Sequence, residues 1–302
     1  MKGWILYKRH KDQITDEFYE IKRFQAVGEE LGIAIDVVTP GEFDLIVTRD
    51  DRKSIVLNGQ SVALPDFILP RMGSGTTYFA LAVLRQLERL NVLTYNNSQS
   101  IDIVKDKLFT HQILAASNLP VPKTMLAKFP IDANLIEQQF GFPVIIKTLS
   151  GSQGFGVFLS ESKSNFEDLM NLINATKSEA NIIIQEFIQD SRGRDLRVVT
   201  VGGRVIGCMQ RIAKDNNFKA NYSQGGEVKS YNITPEIEWL ALETAKILGL
   251  DIAGIDFLFD GDHFKVCEAN SSPGFEGLES CCDISVAKEI YNFVKLKLGL
   301  FA

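Results

Sequence analysis

The sequence predicts an α/β protein with α+β character, a small N-terminal unit followed by a larger one. Three observations predict it: a β-α-β opening, a glycine-rich turn between two strand-like runs, and a closing pair of apolar strands that carry acids. The 302 residues suffice for two domains. A balance of 45% hydrophobic and 23% charged residues is that of a globular chain able to build its own core.

Taken in order, residues 3–7 read as a buried strand. Thr15, with Asp16 and Glu17, offers a helix start: a capping hydroxyl, then acids at the positive end of the dipole. Phe18, Ile21, Phe24 and Leu31 give that helix its apolar face, and Gly32 stops it. Residues 33–38 form the next strand, Asn58-Gly59 marks a hairpin within 54–64, and a strand at 66–69 precedes a helix at 76–90. One unbroken helix is expected over 101–117, before a joint at Pro120 and Pro122. The expected units are therefore 1–97 and 98–302, the second dividing into 98–188 and 189–302.

Within the second unit, strands are expected at 144–147, 157–160 and 182–188, with a helix at 165–174. Residues 196–201 and 204–212 form a hairpin around Gly202-Gly203. Thr234-Pro235 opens a helix that Gly249 closes. Strands at 252–259 and 263–269 follow, and the last helix covers 284–298.

A net charge of −6 argues against a general nucleic-acid binder, which must neutralise phosphates. No run approaches the ~20 apolar residues of a membrane helix, and the apolar start is too short for a signal segment. Four cysteines without a CxxC pair and three histidines disfavour a zinc site and suit the reduced thiols of a cytoplasmic protein.

The segment from Val144 through Lys147, Gly151, Gly154 and Gly156 to Phe158 places three glycines in six residues, where backbone N–H groups can approach an anion. A Walker loop and a Rossmann loop both open a helix. Here Lys147 precedes the glycines and a strand follows them. Two readings stay open: a flap over phosphates, or a plain glycine-rich hairpin.

Asp256 lies among apolar residues, and Glu268 and Asn270 share one face of the next strand. A two-residue turn would put Asp256 on the opposite face. A three-residue loop, Asp260-Gly261-Asp262, would pair Phe259 with His263 and bring Asp256 to the same face. The second arrangement gives two carboxylates and an amide, a hard donor set for Mg²⁺ shared with phosphates. The other reading is a structurally paired Asp256. Cys267, between Val266 and Glu268, is expected to face the other way.

Leu119-Pro-Val-Pro-Lys-Thr, Val144-Ile-Ile-Lys147, Gly151-Ser-Gln-Gly-Phe-Gly156, Gln185-Glu186-Phe-Ile, Asp195-Leu-Arg197, Gly254-Ile-Asp256 and Glu268-Ala-Asn270-Ser-Ser-Pro-Gly together resemble an ATP-grasp enzyme. Leu69-Pro-Arg71-Met-Gly-Ser, Lys105-Asp-Lys107-Leu, Arg211-Ile-Ala-Lys and Gly274-Phe-Glu-Gly-Leu-Glu look like the RimK group of glutamate ligases. The resemblance spans nearly the whole chain and is weakest before Pro70.

It implies an ATP-grasp fold: an N-terminal α/β pre-ATP-grasp domain and two subdomains clamping ATP. Lys107, Lys147 and the loop residues Gly151, Ser152, Gln153, Gly154 and Gly156 would hold the phosphates. Glu186 and Phe187 would line the adenine hinge, Asp195 would take the ribose, and Asn221 would belong to the ATP set. Asp256, Glu268 and Asn270 would carry Mg²⁺ or Mn²⁺, as two ions. Arg211 and Asn270 would act in catalysis, and Arg71, Arg197, Lys219, Ser272 and Gly274 would face substrates.

The implied reaction joins a carboxylate to an amine through an acyl phosphate. It would add glutamate or another amino acid to a peptide, a protein C-terminus or a small carboxylate, in a chain that can form homo-oligomers. The sequence departs from the group at Lys219 and Gln224, where arginines are usual. The first change loses a bidentate fork and the second a charge, which weakens the expectation of glutamate as the incoming amine. An ATP-grasp phosphotransferase, a thiol ligase and a non-catalytic nucleotide module stand as alternatives. Retention of both metal carboxylates disfavours the last.

Overall fold

The computed structural model describes residues 1–15, 17–49, 55–149, 156–175, 181–214, 217–220 and 225–300. The first unit is a four-stranded parallel sheet in the spatial order Ala34–Val38, Lys2–Leu6, Phe67–Pro70, Leu93–Thr94. Alternation along its strands sorts the side chains by face. Ile5, Phe67 and Leu69 join Ile21, Phe24 and Val27 of the Tyr19–Glu30 helix. Trp4, Leu6 and Ile68 join Ala80, Leu84 and Leu87 of the Tyr78–Arg89 helix. The first helix begins four residues later than expected from Thr15, whose carbonyl instead closes a turn by accepting from Phe18 N–H. The Asn58-Gly59 turn is present, both residues having positive φ, between Leu57 and Gln60.

The expected helix at 101–117 is two helices, Ser98–Lys105 and Lys107–Ala116. Asp106 adopts extended geometry and its carboxylate accepts from Phe109 N–H at 3.0 Å, capping the second helix. Lys107 therefore opens a helix rather than sitting in the middle of one.

A four-stranded antiparallel sheet follows, in the order Val157–Ser160, Val144–Thr148, Ile182–Glu186, Thr124–Leu126, with the Ala133–Phe140 and Lys163–Ala175 helices on its apolar side. The third sheet has five antiparallel strands: Glu227–Ser230, Arg204–Ile212, Arg194–Val201, Ile252–Asp260, His263–Asn270. One face packs on the Pro235–Ile247 helix through Leu196, Val198, Ile255 and Phe257. The other face shares a core with the N-terminal sheet through Val199, Val201, Met209 and Ile252.

The Val286–Lys297 helix closes that shared core. Ile290, Tyr291 and Val294 pack with Ile5, Phe24 and Phe67, and the Tyr291 hydroxyl donates to Phe24 O at 2.8 Å. Asn96 is fully buried at the junction. Its side chain accepts from Ile252 N–H and donates to the carbonyls of Ile252 and Ser271, bridging the linker to the third sheet.

Gly3 is required where the strands of the parallel sheet meet this core, because a Cβ there would lie 2.2 Å from the Phe67 ring. Gly3→Ala is expected to destabilise the protein by about 1–3 kcal/mol through overpacking, read as a lowered urea midpoint at unchanged m-value.

Candidate active site

The second and third sheets face each other across a cleft of about 1120 Å³, and the N-terminal unit supplies its third wall. Lys147, Gln185, Glu186 and Phe187 line it from the second sheet. Asp195, Arg197, Arg211, Asp256, Glu268 and Asn270 line it from the third, and Tyr7, Lys8, Glu20 and Arg71 from the first.

The turn between the last two strands is not the expected three-residue loop. Asp260 pairs with His263, leaving a two-residue turn at Gly261-Asp262. In a regular ladder this would turn Asp256 away from Glu268. A bulge corrects it: Phe257 pairs with Val266 but Asp256 pairs with Glu268, so the register skips Cys267. Asp256 and Glu268 become direct cross-strand neighbours. The expected outcome, a shared face, is reached by a different device. Cys267 consequently does not face away. It lines the cleft, with Sγ 3.6 Å from Lys147 Nζ, and burial pushes its thiol pKa up, so it is a neutral thiol.

Asp256 is held tightly. Arg197 donates Nε and Nη2 to its two carboxylate oxygens at 2.7 and 2.8 Å, and Arg211 Nη2 lies 3.0 Å from Oδ2. Arg211 in turn donates to both oxygens of Asp195 at 2.6 and 2.7 Å. Arg197, Asp256, Arg211 and Asp195 thus form an alternating chain of charges on three adjacent strands, its two central members buried and its two ends half-buried. Burial opposes ionisation of Asp256, but the two arginines outweigh it and set its pKa below the usual 3.8. Its contribution to stability is therefore full above about pH 4 and is lost only as pH falls through the lower folded value.

Glu268 is the accessible acid, its side chain 38% exposed and its Oε1 3.6 Å from Lys107 Nζ. Asn270 donates Nδ2 to Gly254 O at 3.3 Å, which leaves Oδ1 as an acceptor. Asp256 Oδ1 keeps a second lone pair beyond its Arg197 bond, whereas Oδ2 meets both arginines. Two carboxylates and an amide oxygen fit a hard divalent cation whose remaining ligands are phosphates and water. Among the described residues no group of three or more His, Cys, Asp or Glu could hold a metal ion.

Lys147 Nζ donates to Gln185 Oε1 at 2.6 Å near the end of the Val144–Thr148 strand. Gly156 has positive φ, and a Cβ there would meet Thr148 Oγ1 at 2.2 Å, so glycine is needed just before the Val157–Ser160 strand. Gly151, Ser152, Gln153, Gly154 and Asn221, together with Gln224, lie outside the described residues.

Glu186 Oε1 accepts from Lys265 Nζ and from Lys123 N–H, both at 2.8 Å, and Phe187 stacks near Arg192. Lys219 lies over the Phe218 and Phe158 rings at the cleft edge. Arg71 donates to Pro273 O at 2.6 Å from between Phe24 and Phe275. Glu20 accepts from Phe275 N–H at 3.0 Å, so the N-terminal unit clasps the loop that carries Ser272 and Gly274. Asp195 and Arg197, expected at ribose and substrate, both line the cleft and bond to Arg211 and Asp256. From the sequence, His111, Asn96 and Glu20 were missed, and Thr124 and Gln185 stood in motifs without a role of their own. Only His111, one helical turn after Lys107, carried a periodic signal that could have flagged it.

Asp256→Asn would leave two arginines undercompensated and is expected to cost about 3–5 kcal/mol. Glu268→Gln should stay within about 0.5 kcal/mol of the parent. Urea unfolding of both variants at pH 7 tests this contrast.

Comparison with known proteins identifies the family. Residues 104–294 match the RimK-like ATP-grasp domain and residues 13–101 the RimK pre-ATP-grasp domain. A probable alpha-L-glutamate ligase of Legionella pneumophila (strain Corby) is 36% identical over 281 residues, covering 92% of each chain. The fold is similar to that of the ATP-grasp ligase PsnB complexed with a minimal precursor, with TM-score 0.75 and 19% identity over 97% of this chain and 98% of that one. It is also similar to a RimK domain ATP-grasp protein from Sphaerobacter thermophilus, with TM-score 0.73 and 20% identity over 97% and 99%. The chain belongs to the RimK-like ATP-grasp family.

Proposed function

We propose that the protein is an ATP-dependent carboxylate–amine ligase that adds an amino acid, glutamate foremost, to the carboxylate of a peptide or small molecule. The observation that carries this reading is the convergence of Asp256, Glu268 and Asn270 with Lys107 and Lys147 in one cleft. The names of the relatives support glutamate. The cleft exceeds the ~300–1,000 Å³ of an ordinary ligand pocket, which leaves room for a nucleotide and two further substrates.

Lys107 and Lys147 neutralise phosphate charge from the two sides of the cleft. Asp256, Glu268 and Asn270 would hold Mg²⁺, whose charge offsets that of the phosphates during transfer. A carboxylate oxygen attacks the γ-phosphorus, the bond to the bridging oxygen breaks, and ADP leaves with the electron pair. The amine nitrogen then attacks the acyl carbon, phosphate leaves, and the nitrogen loses a proton to give the amide. The chain supplies no covalent nucleophile. Arg211, fixed by two acids, presents positive charge toward the reacting phosphoryl group. The N-terminal wall, with Arg71 anchored to the 271–275 loop, orients the acceptor and shields the acyl phosphate from water. No helix among the described residues is long and apolar enough to cross a membrane, and the four cysteines are free thiols, which suits a cytoplasmic enzyme.

Phosphate release is to be screened with ATP, Mg²⁺, each of twenty amino acids and a panel of carboxylates, with products read by mass spectrometry. Release that needs both an acid and an amine, with an amide formed, is the expected result. Acid phosphorylation with no amide under any pairing would point to a phosphotransferase instead. Glu268→Gln should lower turnover roughly a hundredfold to a thousandfold, as expected for losing several kcal/mol of metal assistance.

A further inference from the structure

The bulge that aligns Asp256 with Glu268 needs its own support. It lies on the sheet's edge strand, where main-chain groups point outward and must find partners elsewhere. Two such groups are caught. Val266 N–H donates to Pro120 O at 2.8 Å, and the carbonyl of Cys267, the skipped residue, lies 3.0 Å from His111 Nε2. His111 is buried on the Lys107–Ala116 helix, one turn after Lys107. A single helix face thus meets Glu268 through Lys107 and the Cys267 main chain through His111.

The contacts continue past the ring. His111 Nδ1 lies 3.2 Å from Thr124 Oγ1, which accepts from Gln185 Nε2 at 2.9 Å. Gln185 Oε1 accepts from Lys147 Nζ at 2.6 Å. Burial pushes the His111 pKa below the usual histidine value, so the ring is neutral. With Nε2–H donating to Cys267 O, Nδ1 is left as an acceptor facing the Thr124 hydroxyl, whose proton is shared between Nδ1 at 3.2 Å and Pro122 O at 2.8 Å. The chain runs from the strand that carries Glu268 and Asn270 to Lys147 on the Val144–Thr148 strand.

We propose that His111 is a positioning residue: through Cys267 O and the Thr124–Gln185 pair it fixes the bulge and Lys147 relative to each other, so that metal and phosphates are gripped in one register. The proposal rests on the metal and nucleotide reading given above. Partners that orient metal ligands typically change metal affinity or activity 10–100-fold when removed. A buried histidine with both nitrogens bonded can instead serve core packing alone, and the two roles predict different results.

The full-length protein is titrated calorimetrically with ADP, with and without Mg²⁺, and the Mg²⁺ concentration for half-maximal turnover is measured alongside. His111→Leu is expected to raise the MgADP Kd and the Mg²⁺ half-saturation about ten-fold. His111→Gln can place an amide N–H where Nε2 lies and should return both to within about threefold of the parent. Unchanged MgADP binding in His111→Leu, or equal losses in the Leu and Gln variants, would reduce His111 to a packing residue and overturn the proposal. If His111→Leu does not fold, the near-isosteric Thr124→Val breaks the middle of the chain; parent-like MgADP binding there overturns it equally. Glu268→Gln separates the two layers. If it leaves the Mg²⁺ dependence intact, the metal reading fails with everything built on it. If it raises the Mg²⁺ requirement while His111→Leu does not, the relay alone fails.

Discussion

One register shift governs the active-site geometry. In a regular two-stranded ladder closed by the Gly261-Asp262 turn, Asp256 and Glu268 would project from opposite faces, one into the cleft and one into the core. Skipping Cys267 moves Glu268 and Asn270 together onto the Asp256 side. The bulge costs a regular pair in the ladder, and the fold offsets this with Pro120 and His111 from outside the sheet. The joint before the second sheet and the Lys107–Ala116 helix are thus part of the site although neither belongs to the third sheet.

The second constraint is electrostatic. Arg197, Asp256, Arg211 and Asp195 alternate in sign across the Arg204–Ile212, Arg194–Val201 and Ile252–Asp260 strands, and each acid is bonded bidentately to one arginine. Low dielectric makes such bonds strong and an unpaired member costly, so these side chains are locked before any ligand arrives. The cleft therefore combines a tightly bonded charge cluster with Glu268, whose side chain is 38% exposed.

Much of this was legible in the sequence, for physical reasons. The Asn58-Gly59 and Gly202-Gly203 turns announce themselves because positive φ selects for those residues. Glu268 and Asn270 were placeable on one face because strand periodicity is local. What escaped depended on partners far along the chain. Asp256 meets Arg197 from 59 positions away, and nothing near Asp256 announces that bond. The bulge was invisible because it leaves no glycine at Cys267, and the loop-length argument reached the right face by the wrong turn. The break at Asp106 was missed because the apolar spacing over 101–117 continues across it, whereas the residue's capping role depends on local backbone geometry. The reversed orientation of Cys267 follows from the bulge alone.

The Val286–Lys297 helix completes the core beneath the opening parallel sheet. Ile290, Tyr291 and Val294 pack with Ile5 and Phe67, so one face of the parallel sheet is covered by a segment far away along the sequence. Without that helix the sheet would present Ile5, Phe67 and Leu69 to solvent as an apolar patch prone to association.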